Sequence, residues 1–231
     1  MNPAENVAMK DAIRLAVDVV SDVVCPWCFI GKRKLDIALA ELRSAEPSLD
    51  VAVRWHPFEL NPDLPAQGIR REEYLERKWG SVARANENYV RVRDAGERVG
   101  IAFRLDRIGV QPNTHDAHRL IAWAQAQGDA NALVERLFGA YFLEGRFVGE
   151  RGELARLAAE TGLPEDAARA MLDSDALRDV VASESREALD VGVRGVPFFI
   201  FNGRLAVSGA QDPATLLSAI DAARRAEPST A

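Results

Sequence analysis

The chain has 231 residues, enough for one large domain or two smaller ones around a substantial buried core. Its 48% hydrophobic and 28% charged residues are ordinary for a globular protein and exclude a disordered chain as the starting expectation. A net charge of −6 argues against a nucleic-acid surface, which needs concentrated positive charge.

No stretch approaches the roughly 20 apolar residues that span a bilayer. Residues 1–10 include Asn2, Glu5 and Asn6 and lack the apolar core of a secretory signal. The expected compartment is therefore the cytoplasm, and neither membrane nor nucleic acid is an expected partner.

Ile13, Leu15, Val17 and Val19 alternate with Arg14, Ala16, Asp18 and Val20, which predicts a first strand. Residues 21–24 lead into Cys25-Pro26-Trp27-Cys28. A helix is expected over 28–43, because Leu35, Leu39 and Leu42 form one apolar stripe. Glu46-Pro47-Ser48 ends it. Val51, Val53 and Trp55 then alternate with Ala52 and Arg54 as a second strand. The result is a βαβ unit with the cysteine motif at its strand-to-helix turn.

Residues 57–68, rich in Pro, Asn and Gly, read as a linker into a helical region. Helices are expected over 71–79 and over 114–127, the latter with Ala117, Leu120, Ile121 and Ala124 on one side. Asp129 is placed to cap the next, which carries Leu133, Leu137 and Tyr141. Further helices fit 153–160, 164–172 with Pro164 first, and 174–191. Glu72-Glu73 and the stretch from Arg91 to Arg93 read as solvated helix faces. No fixed period suggests a repeat protein.

The tail has a different pattern. Two short strands, 197–201 and 204–207, flank Asn202-Gly203, whose residues tolerate the positive φ of a two-residue hairpin turn. Asp212-Pro213 supplies a cap and a first-turn proline for a last helix bearing Leu216, Ile220 and Ala223. The expected class is α/β, a thioredoxin fold of order βαβ…ββα split by a large all-helical insertion. The corresponding domains are 1–65 with 193–231, discontinuous, and 66–192.

The chain has two cysteines, and both lie in one C-x-x-C motif. A disulfide scaffold is thereby excluded, and a zinc site needs about four ligands. In a reducing compartment such a pair is expected to be catalytic. Disulfide exchange needs a thiolate, and unpaired N–H groups with the helix dipole at the helix start favour negative charge on Cys25. Cys25 is thus the expected nucleophile, and Cys28, one turn along, the resolving thiol. Pro26 suits the first turn because its missing N–H would be unpaired there. Trp27 has two open readings: an apolar contact to a bound peptide, or packing against the helical region. Asp22 and Asp18 are candidate acids for moving the proton of the buried cysteine. His56, His115 and His118 have no spacing that demands convergence, so no metal site is expected.

The stretches Ser21-Asp22-Val23-Val24-Cys25-Pro26-Trp27-Cys28, Pro57-Phe58-Glu59-Leu60-Asn61-Pro62, Asp116-Ala117-His118-Arg119-Leu120, Gly195-Val196-Pro197-Phe198-Phe199 and Ser208-Gly209-Ala210-Gln211 carry a family resemblance. The chain resembles the DsbA-like branch of the thioredoxin superfamily, of FrnE type, related to 2-hydroxychromene-2-carboxylate isomerases and kappa-class glutathione transferases. That resemblance implies a protein thiol–disulfide oxidoreductase whose cofactor is only its own Cys25–Cys28 disulfide. It assigns Val196-Pro197 to a cis-proline loop facing the cysteines, so that Pro26, Trp27, Val196 and Pro197 become the expected substrate-binding residues. Partners are then proteins bearing disulfides or dithiols, with glutathione as co-substrate and a homodimer left open. The alternative is a glutathione-dependent isomerase or transferase acting on a small aromatic substrate. Those relatives carry serine where Cys25 stands, and kappa-class members place an acid where this chain has Gly209-Ala210-Gln211. A peptide-binding chaperone module is the other reading.

Overall fold

A computed structural model describes residues 14–225. The reading that residues 1–10 lack a secretory signal, and the strand position of Ile13, fall outside those residues. In chain order the elements begin with β1 (Arg14–Ser21), α1 (Pro26–Ala45) and β2 (Asp50–Pro57). There follow β3 (Ile69–Arg70), α2 (Arg71–Trp79), α3 (Val82–Glu97), β4 (Val110–Gln111), α4 (His115–Gln125) and α5 (Asn131–Gly139). The remainder are α6 (Arg151–Ala159), α7 (Glu165–Asp173), α8 (Arg178–Asp190), β5 (Phe198–Phe201), β6 (Leu205–Ser208) and α9 (Pro213–Arg225).

The main sheet has the order β2-β1-β5-β6. β1 and β2 run parallel with Val17 opposite Val53, whereas β5 is antiparallel to β1 with Val19 opposite Phe199. This is the expected α/β fold with a helical insertion. The period-2 alternation puts Leu15, Val17 and Val19 into the core, as read from the sequence. Between β5 and β6, Asn202 (φ 53°) and Gly203 (φ 63°) both take the left-handed conformation that the tight hairpin requires.

One apolar cluster runs from the sheet into the inserted helices. Phe29 of α1 stacks on Phe138 at 5.1 Å and meets Phe103 edge-on at 6.1 Å, so α1 is shared by both regions. The free edge of β2 is also closed from the insertion. The Gln125 side chain on α4 accepts from the Trp55 N–H at 2.5 Å and donates to its carbonyl at 3.0 Å. The stretch 58–68 is tied down, with the Asn113 amide donating to the carbonyls of Pro62 and Leu64.

Several expectations on element boundaries are corrected. The helix expected over 174–191 begins only at Arg178, after Leu177 takes a left-handed conformation. The cause is Arg119, fully buried on α4, whose guanidinium donates to the carbonyls of Met171, Leu172, Ser174 and Ala176 and to Asp116. These carbonyls turn toward Arg119, with Met171 also accepting from the Ser174 hydroxyl at 2.7 Å, and the chain bends around the guanidinium instead of continuing as helix. Tyr141 lies beyond α5 in a π-helical turn, Ala140–Glu144. The helix expected from Thr114 starts at His115, and Pro164 is the residue before α7 rather than its first. The N-cap of α5 is Ala130 rather than Asp129, whose carboxylate instead accepts from the Asn131 N–H at 2.8 Å from one residue further out. The Asp212 carboxylate binds Lys34 Nζ at 2.6 Å, which joins α1 to the start of α9. Of α3 only the stretch from Arg91 to Arg93 was expected as helix, and the two-stranded β3–β4 ribbon was not among the expected elements.

Candidate active site

β1 ends in the buried core, and residues 22–25 turn the chain into α1. The Cys25 N–H donates to the Asp22 carbonyl at 3.0 Å, and Cys25 becomes the N-cap of α1 with Pro26 directly after it. Its extended backbone (φ −91°, ψ 113°) aims the side chain past the helix start. Both cysteines are free thiols. Cys25 is 6% exposed and borders a groove, whereas Cys28 is 1% exposed and lies below it.

The two thiols are driven in opposite directions. The Cys28 thiol hydrogen-bonds Cys25 and pulls its pKa below the ordinary thiol range. Backbone N–H groups of Cys28 and Trp27 add to that effect, while burial and the nearby Asp22 charge oppose it. Burial is the main influence that pushes Cys28 well up, and the neighbouring Cys25 reinforces it. Thiolate character is therefore concentrated on the sulfur that reaches the groove.

The distant part of the chain closes the site. The Cys25 thiol donates to the Val196 carbonyl at 3.6 Å, and the Val196–Pro197 peptide is cis. The loop can approach because α1 has Gly31 at the contact. A Cβ there would come within 2.7 Å of Pro197 Cγ and 3.2 Å of the Phe199 ring. The chain thus brings together Cys25, Pro26, Trp27, Cys28, Val196 and Pro197, all six singled out from the sequence. Trp27 is 40% exposed and lines the groove.

The two candidate acids differ in placement. Asp22 is 0% exposed and sits directly behind Cys25, where it accepts from the N–H groups of Leu60 at 2.8 Å and Val24 at 3.3 Å. Its carboxylate is 3.6 Å from His118 Nε2. Asp18 points elsewhere: it bonds His56 at 2.9 Å, and that bond is the main reason its carboxyl is held below the ordinary carboxylate range. The histidines share no carboxylate: His56 faces Asp18 and, at 3.7 Å, Glu184, His115 faces Glu59 at 2.7 Å, and His118 faces Asp22. Among the described residues no three His, Cys, Asp or Glu side chains cluster as metal ligands would.

The groove itself has a volume of about 360 Å³. Its far wall comes from α2 and α3, with Arg71, Tyr74, Lys78, Trp79, Tyr89 and Arg91. None of these was expected as a site residue from the sequence, where Arg91 reads as part of a solvated face. Positions 71, 74 and 78 fall on one helical face, a signal that a search for i, i+3, i+7 spacing of cations and aromatics would have found.

Fold and site together define a thioredoxin-fold protein with a dithiol at a helix start, facing a cis-proline loop. The chain belongs to the DSBA-like thioredoxin domain family, which it matches over residues 16–221. It is similar to a probable DsbA oxidoreductase from Streptomyces coelicolor, with 31% identity over 94% of this chain and 93% of that one, and a TM-score of 0.82. It is 27% identical to the uncharacterized protein YwbO of Bacillus subtilis, over 84% of this chain and 90% of that protein. The cytosolic disulfide reductase DsbM of Pseudomonas aeruginosa, solved with GSH, shares the fold at 21% identity and a TM-score of 0.60, over 90% of this chain and 95% of that one. Membership of this oxidoreductase family fits the dithiol. Among the described residues no helix is long and apolar enough to cross a membrane.

Proposed function

We propose that the protein is a protein thiol–disulfide oxidoreductase in which Cys25 is the nucleophile and Cys28 the resolving thiol. The observation that carries this reading is the division of labour between the two sulfurs. The one at the helix start borders the groove and is pulled toward the thiolate, and its partner is buried and held as the thiol.

In the reducing direction the Cys25 thiolate attacks one sulfur of a substrate disulfide. An S–S bond forms between Cys25 and that sulfur, and the other substrate sulfur leaves as a thiolate that takes up a proton. Cys28 then loses its proton and attacks Cys25 Sγ. The substrate's second sulfur departs, and the Cys25–Cys28 disulfide holds the two electrons' worth of oxidation. A dithiol or two monothiols restore the reduced form, and the oxidising direction runs the same steps backwards. Asp22, buried beside Cys25, is the carboxylate placed to accept or return a proton in these exchanges.

Val196 and Pro197 form the wall against which a substrate segment rests, with Pro26 and Trp27 on the opposite side. No cofactor beyond the cysteine pair is required. Glutathione is the proposed reductant, and the cytosol the proposed compartment; both are supported by the GSH-bound cytosolic reductase that shares this fold. The test is reduction of a model protein disulfide by wild type, Cys25→Ser and Cys28→Ser, with and without glutathione. Equal activity of wild type and Cys25→Ser would remove Cys25 from the mechanism.

A further inference from the structure

The groove beside Cys25 has an unusual charge distribution. Its lining includes three cations, Arg71, Lys78 and Arg91, and no acid. The helices that supply them are not short of acids: Glu72, Glu73, Glu76, Glu87, Asp94 and Glu97 all lie on α2 or α3, and none lines the groove. Glu73 is engaged by Arg77 on the outer side of α2. The whole chain is acidic, with a net charge of −6, so this positive lining runs against the background.

The cations are held in place without being neutralised. Arg71 is only 9% exposed, yet its guanidinium donates to Tyr89 Oη at 2.6 Å, to Tyr141 Oη at 3.4 Å and to Gln111. It also lies over the Tyr74 and Tyr89 rings at 5.2 and 5.6 Å. Lys78 donates to Tyr74 Oη at 2.9 Å and sits 5.4 Å from the Tyr74 ring and 5.8 Å from that of Trp79. Among the described residues, none of Arg71, Lys78 and Arg91 is within ion-pair distance of a carboxylate. Phenols and ring faces fix a cation's position but leave its charge intact. A buried guanidinium without a counter-charge is unfavourable, and an arriving carboxylate relieves that penalty.

We propose that this groove selects peptide segments carrying acidic residues next to their disulfide, which it seats with the carboxylates on Lys78, Arg91 and Arg71. The inference rests on reading Cys25 as the nucleophile. A peptide, rather than a small molecule, is indicated by two further features. Trp27 and Leu60 present exposed apolar surface on the rim. The Val196 carbonyl faces Cys25, and once the thiol gives up its proton that oxygen is released to accept a backbone N–H from an extended chain.

The experiment compares kcat/KM for reduction of three disulfide-linked peptides that are identical except for two flanking residues, both Glu, both Gln or both Lys. At low ionic strength the Glu peptide is expected to exceed the Lys peptide by about fivefold or more, and the gap to shrink as salt is raised. In Lys78→Glu/Arg91→Glu the order is expected to invert; both side chains are exposed, so the fold should tolerate the change. Arg91→Glu alone should narrow the gap. Equal rates for the three peptides, a preference for Lys, or an order that survives charge reversal would overturn the proposal. Turnover of glutathione disulfide with all three peptides refused would overturn it in favour of a small acidic disulfide. The Gln peptide separates the two levels: if wild type and Cys25→Ser exchange it alike, the nucleophile reading fails, whatever the charge preference.

Discussion

The Cys25 thiol donates to the Val196 carbonyl at 3.6 Å although 171 positions separate the two residues in the chain. The contact joins the start of α1 to the loop before β5, and it exists because β1 lies between β2 and β5 in the sheet. A motif of four residues thereby acquires a wall that local sequence does not contain.

The opposite drives on the two thiols predict unequal alkylation. In native protein Cys25 should be modified with an apparent pKa below the ordinary thiol value of about 8.5, and Cys28 should resist until the protein is unfolded. Mass spectrometry after iodoacetamide treatment across a pH series checks this. An apparent pKa at or above 8.5 for Cys25, or equal labelling of both, would contradict it.

Gly31 predicts a packing effect that reaches the site. Gly31→Ala puts a methyl against Pro197 and Phe199, and overpacking of this kind costs about 1–3 kcal/mol. Urea denaturation should show a lower midpoint, and disulfide exchange should slow as the loop is displaced from Cys25. Unchanged stability and rate would mean the loop gives way freely.

Arg119 should matter for stability rather than for chemistry. Arg119→Met strips the guanidinium from four carbonyls and Asp116, of which Met171 keeps the Ser174 hydroxyl and Asp116 keeps Arg151, at a cost of about 3 kcal/mol. The denaturation midpoint should fall sharply, while Cys25 in the folded fraction keeps its alkylation profile. A loss below about 0.5 kcal/mol would show that water replaces the guanidinium.

The His56–Asp18 pair gives a pH window for stability. Hydrogen bonding to Asp18 is the main cause that raises His56 from its ordinary 6.5, so its contribution is complete below about 6.5 and is lost as pH rises through the higher folded value. Bonding to His56 lowers Asp18 from 3.8, so that contribution is present above about 3.8 and is lost as pH falls through the lower folded value. His56→Ala should therefore destabilise most between about pH 4 and 6.5, by under about 1 kcal/mol because the pair is partly exposed. Thermal melts at pH 5.5 and 8.5 check the sign, and a larger effect at pH 8.5 would refute it.

Much of the scaffold was legible because its elements follow strict periods. Leu15, Val17 and Val19 alternate along β1, Leu35, Leu39 and Leu42 recur along α1, and Asn202-Gly203 can take the positive φ of a hairpin. Cys25-x-x-Cys28 and Val196-Pro197 were legible as motifs. What stayed hidden depends on long-range partners. The break at 174–177 is imposed by Arg119, more than fifty positions earlier, and nothing local signals it. In α3 the buried positions Ala85, Tyr89, Val92 and Gly96 include only one large aliphatic residue, and Val90 is exposed, so its apolar stripe is thin. Arg71, Lys78 and Arg91 look like surface charges in sequence because their role depends on the groove they share with Cys25.

The most direct test of the central claim is capture of the exchange intermediate. Cys28→Ser is mixed with a protein disulfide substrate, quenched with alkylating agent and mapped by mass spectrometry. A mixed disulfide between the substrate and Cys25 is expected to accumulate, and to be absent in Cys25→Ser. A Cys25→Ser variant that forms an equally abundant adduct through Cys28, or a Cys28→Ser variant that forms none, would contradict it.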